Sequence, residues 1–137
     1  MVEATLTHEQ YQQEIQRILN GDDSRMASRL FFETVATSSP TAECSAKVHR
    51  FHGYLRSIIR QVEGLEPPPD ADDAQREFLA EAQESLRLVG VAADDAGQGR
   101  LRCGPPLNAR IYGMASTTRA EAALTKLEQR GYIVFGD

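Results

Sequence analysis

The chain has 137 residues, 41% of them hydrophobic, and a net charge of −5 from 20 acidic and 15 basic side chains. That length and mix predict one globular domain and exclude a disordered chain, a collagen-like fibre and a disulfide-dense scaffold. The acidic balance and an aromatic content of 7%, with no tryptophan, argue against a base-stacking nucleic-acid platform.

No stretch approaches the roughly 18–20 apolar residues that span a bilayer. Met1-Val2-Glu3-Ala4-Thr5 lacks the basic region and apolar core of a signal peptide. Cys44 and Cys103 lie far apart without CxxC spacing, which leaves a disulfide between them open but favours two reduced, buried thiols in a cytoplasmic protein.

Thr7-His8-Glu9-Gln10 fits a capping box, and Tyr11, Ile15, Ile18 and Leu19 then share one helical face up to Gly21. A second helix, about 23–37, is capped by Asp23 or Ser24 and carries Met26, Leu30, Phe31 and Val35. Pro40 suits the first position of a third, about 40–64, whose buried face is Val48, Phe51, Leu55, Ile58, Ile59 and Val62. Pro67, Pro68 and Pro69 impose a stiff extended joint. Asp70 or Asp72 then caps a fourth helix, about 72–89, with Phe78, Leu79, Ala82, Leu86 and Val89 turned inward.

Residues 90–108, rich in Gly and Pro, read as irregular, with 93–98 a mobile loop. Residues 109–115 fit strand and helix equally. Thr118-Arg119-Ala120-Glu121 reads as a second capping box, Gly131 as a helix stop, and Tyr132-Ile133-Val134-Phe135 as a short strand.

Charge is unevenly spread: −3 over residues 1–40, +2 over 41–65, −7 over 66–98 and +3 over 99–137. Within the acidic block Asp70, Asp73, Glu77, Glu81 and Glu84 are spaced 3, 4, 4 and 3, which places them in one helical stripe opposite the apolar face. Neighbouring carboxylates about 5–6 Å apart match the repeat of a nucleic-acid backbone, so the stripe suits a basic groove on a protein partner. Lys47, Arg50, Arg56 and Arg60 form a basic face on the third helix.

Nothing in the sequence announces a reaction. Cys44 and His52 are eight residues apart on one helix, about 12 Å of rise, too far for a single tetrahedral ion. No GxSxG, GxxxxGK[ST] or GxGxxG occurs. No catalytic residue, metal or cofactor is expected.

The run Ser116-Thr117-Thr118-Arg119-Ala120-Glu121-Ala122-Ala123-Leu124, continuing through Leu127 and Gly131 to Val134, resembles the recognition helix and following strand of winged helix-turn-helix regulators. That resemblance implies a helix in the DNA major groove, with Thr117, Thr118, Arg119, Ala122 and Lys126 facing DNA.

The expected fold is therefore mainly α. It is a small bundle of about four helices with a short C-terminal αβ unit, laid out as a three-helix region (1–65), a Pro-rich joint (66–71) and residues 72–137. The expected function is non-catalytic binding of a basic protein partner through the acidic stripe. This is the mode of small phage-type or mobile-element inhibitors of nucleic-acid-handling machinery. A DNA-binding regulator using residues 107–137 is the alternative, and a second copy of the chain is a further possible partner.

Overall fold

The computed structural model describes residues 5–36 and 41–135. Among them are six helices: α1 (His8–Leu19), α2 (Asp22–Ala36), α3 (Thr41–Glu63), α4 (Asp72–Gly97), α5 (Pro105–Tyr112) and α6 (Ala115–Gln129). The helix start expected at Pro40 lies outside the described residues. The long helix α4 is central, packed between α3 and α6. α2 lies on α3, α1 packs on α2 and α3, and α5 contacts α2, α4 and α6. No helix is long and apolar enough to cross a membrane.

α1 forms where its local sequence directs it. Thr7 Oγ1 accepts the Gln10 amide at 3.1 Å, and the Gln10 side chain accepts the Thr7 amide at 3.0 Å. Tyr11, Ile15 and Ile18 are buried as the spacing requires. The joint after α3 is pinned rather than loose. The Glu66 carbonyl accepts the Leu6 amide at 2.9 Å, and the Leu65 carbonyl accepts Gln75 Nε2 at 3.1 Å. Gln75 in turn accepts the Tyr11 hydroxyl at 2.8 Å, which joins α1 to α4.

Several expectations need correction. α4 does not stop near residue 89 but runs through Gly90 to Gly97, so residues 93–97 are helical. Gly90 and Gly97 are sites of close approach, not helix breaks. A Cβ at Gly90 would meet His52 Nε2 at 3.3 Å, and one at Gly97 would meet Ser45 Oγ at 3.1 Å. Packing against α3 outweighs the roughly 1 kcal/mol that each glycine costs a helix.

Residues 109–112 are helical, in α5. Gly104, at φ +97°, turns the chain into Pro105 and Pro106, which occupy the first helical turn. α4 has Ala71 at its N-cap with no side-chain cap, so neither Asp70 nor Asp72 performs that role. α6 starts at Ala115 after Met114, which places Thr118 inside the helix and removes the second capping box.

The C-terminal αβ unit is absent, since no strand exists among the described residues. Residues 132–134 have no regular secondary structure; the Tyr132 amide bonds the Leu127 carbonyl, and the next two residues bond side chains of α1 and its C-cap. Gln12 Oε1 accepts the Ile133 amide at 2.8 Å, and Asn20 Nδ2 donates to the Val134 carbonyl at 3.1 Å. Among the described residues no segment pairs with 132–134, so β-propensity yields no sheet.

The two cysteines are not free thiols. Cys44 on α3 and Cys103 before α5 form a disulfide with Cα atoms 5.6 Å apart. Gly104, next in the chain, donates its amide to the Thr34 carbonyl of α2 at 2.6 Å. Two buried clusters result. One gathers Tyr11, Ile15, Ile18, Val62, Phe78, Leu127 and Tyr132. The other gathers Cys44, Val48, Val89, Ala92, Ala93, Ala96, Cys103 and Leu107.

Candidate functional site

The acidic stripe of α4 and the basic residues of α6 face each other. Arg130 Nη2 bonds Asp73 Oδ2 at 3.0 Å, Lys126 Nζ reaches both Glu77 oxygens at 2.8 Å, and Arg119 lies 3.7 Å from Glu81. Partners ascend α4 as they descend α6, the order of antiparallel helices. Asp70 Oδ1 accepts the Tyr132 hydroxyl at 2.7 Å, and Glu84 accepts Arg87 Nε of its own helix at 3.0 Å.

All five carboxylates of the stripe are thus engaged within the chain. The Arg130 hydrogen bond holds the Asp73 carboxyl well below the usual carboxylate range, and Arg87 lowers Glu84 in the same way. Tyr132 is pushed upward, first by burial and then by Asp70.

The residues assigned to a DNA-reading face are divided by this packing. Arg119 and Lys126 belong to the ion-paired seam, Thr117 turns toward the interior, and Thr118 and Ala122 are exposed. On α3, Lys47 lies 3.3 Å from Glu43, while Arg50, Arg56 and Arg60 are exposed. Cys44 is held in the disulfide, His52 packs against Gly90 and His49 is exposed, so these three form no metal site.

A different feature occupies the junction of the two buried clusters. There the walls of α2, α3, α4, α5 and α6 leave an apolar cavity of about 300 Å³. Ile58, Phe78 and Leu124 line it from one cluster, and Val89, Ile111 and Met114 from the other. Phe31 forms one wall with Phe51 at 5.9 Å and with Tyr112, edge-on, at 5.7 Å between ring centroids. Tyr112 is 64% exposed, so this aromatic wall reaches the surface.

Polar groups are few. Ser85 Oγ bonds Ser116 Oγ at 2.7 Å and Thr117 Oγ1 at 3.3 Å. Among the described residues the lining carries one charged side chain, the exposed Glu121. The small residues Ala82, Ser85 and Ala120 are what keep the facing helices α4 and α6 from filling the space.

Periodicity identifies Phe31, Phe51, Leu55, Ile58, Phe78, Ala82 and Val89 as inward-facing, without marking them as the wall of a cavity. The available signal was the small side chains on two helix faces that otherwise carry Phe and Leu. Comparison of the chain with protein-family models, with curated proteins and with solved structures finds no match.

Proposed function

We propose that the chain is a non-catalytic binding protein whose binding site is the apolar cavity between α2 and α6. The observation that carries this reading is the cavity itself, about 300 Å³ of largely apolar space with an aromatic wall reaching the surface. Small-molecule pockets begin at about this volume and are lined mainly by apolar and aromatic side chains. The Ser85 hydroxyl bonds those of Ser116 and Thr117 rather than a base, which supports binding over nucleophilic chemistry.

The expected class, non-catalytic binding, is retained here, and its site moves from the acidic stripe to the cavity. Docking of a basic protein, including the phage-type inhibitor reading, needs carboxylates that α6, Tyr132 and Arg87 already engage. The winged-helix reading needs Arg119 and Lys126 to leave Glu81 and Glu77. The disulfide favours an oxidising compartment over the reducing cytoplasm that the sequence suggested.

The test is thermal unfolding in rising concentrations of 1-octanol, a neutral apolar probe. A ligand that binds only the folded chain raises the midpoint in step with its concentration. A midpoint that climbs with the logarithm of free octanol in the parent chain, and does not climb in Ala82→Trp, is the expected result. No rise in the parent chain, or an equal rise in Ala82→Trp, overturns the reading.

A further inference from the structure

We infer that the ligand of this cavity is a small amphiphilic cation, an alkylammonium or comparable lipophilic amine, with its tail in the cavity and its charged head at the rim beside Glu121. This rests on the cavity reading above and adds the sign of the head group. Glu121 is the one charged residue of the lining among the described residues, it is exposed, and its carboxylate has no partner among them.

The cations nearest to it along α6 are already engaged. Arg119 is drawn to Glu81 and Lys126 to Glu77, both on the seam with α4. An anionic head group, such as that of a fatty acid, would therefore meet a carboxylate with no free cation of the lining to receive it. A cationic head finds the carboxylate, and the same lining carries the aromatic pair Phe31 and Tyr112. Aromatic faces attract cations through the negative face of the ring quadrupole. The tail meets Leu55, Ile58, Phe78 and Leu124. A volume at the small end of ligand pockets suits one short chain rather than a two-chain lipid.

The experiment is isothermal titration calorimetry of the full chain with octyltrimethylammonium, 1-octanol and octanoate, which share a tail and differ in charge. Each is used below its aggregation concentration. The cation is expected to bind about fivefold tighter than the alcohol, the size of effect an exposed ion pair supports, and octanoate more weakly than either. Glu121→Gln should erase the preference for the cation while leaving octanol affinity unchanged. Glu128→Gln, which removes the same charge from an exposed position outside the lining, should leave the preference in place.

Equal binding of the three probes, tightest binding of octanoate, or a preference that survives Glu121→Gln overturns the cationic assignment while leaving the cavity reading intact. The same holds if Glu128→Gln abolishes the preference as fully as Glu121→Gln. Failure of all three probes to bind saturably overturns both.

Discussion

At one end of the molecule large side chains interlock: Tyr132 stacks on His8 at 3.9 Å and meets Tyr11 edge-on at 5.5 Å, above Leu127, Phe78 and Val62. At the other end α4 contributes Val89, Ala92, Ala93 and Ala96, and the Cys44–Cys103 bond ties α3 to the approach of α5. Alanines let α4 approach its neighbours closely but bury little apolar area each, so α4 gains less per residue here than through Phe78 at the first end. A covalent strap stabilises this end, chiefly by restricting the unfolded chain. The cavity lies where the two solutions meet, and its walls draw on both.

Removing the strap should therefore give the largest effect. The disulfide joins residues 59 apart, and loop-closure entropy assigns it about 4 kcal/mol. Cys44→Ser with Cys103→Ser is expected to lower the urea midpoint accordingly, with hydrogen exchange in α5 accelerating before that in α1. Next comes Leu127→Ala at the opposite end, where deletion of a fully buried leucine should cost about 3 kcal/mol in the same assay and leave the disulfide intact. Equal protection of α1 and α5 in the first variant would remove the distinction between the ends.

Tyr11→Phe is milder. It leaves Gln75 Oε1 without its donor and should cost about 1–2 kcal/mol by urea unfolding. The seam between α4 and α6 should matter least. A double-mutant cycle with Glu77→Gln and Lys126→Met is expected to give a coupling below about 1 kcal/mol, shrinking further in 1 M salt.

The pH dependence also separates regions. Burial, then Arg56 and His49, hold His52 below its ordinary 6.5 in the folded chain, so the unfolded chain takes up that proton first. Stability should fall as pH drops through about 6.5, and His52→Gln should flatten that slope. A second loss is expected lower, as pH falls below the ordinary carboxylate range. Asp73 and Glu84 bind protons less readily folded than unfolded, so their stabilisation is present above that range and lost beneath it.

What the sequence disclosed follows from the range of the forces involved. The Thr7 capping box, the Gly131 stop and the inward faces of α1, α3 and α4 are set within a few residues, and spacing shows them. Gly90 and Gly97 were opaque because their reason is a neighbour, His52 or Ser45, about 40–50 residues away. Tyr132 to Phe135 have the composition of a strand, yet a strand needs a partner that composition does not supply. The acidic stripe and the basic C-terminal block were both visible as charge. Their mutual engagement depended on the antiparallel placement of α4 and α6. The cavity was hidden for a related reason: periodicity tells which side faces inward, not whether the opposing side chains are large enough to meet.

The position of the disulfide has a consequence for proteolysis. The segment between α3 and α4 lies inside the loop that Cys44 and Cys103 close. A protease cutting once between residues 63 and 70 therefore yields two fragments that stay one molecule, with unchanged mass apart from the added water. Only reduction releases them, as two separate bands.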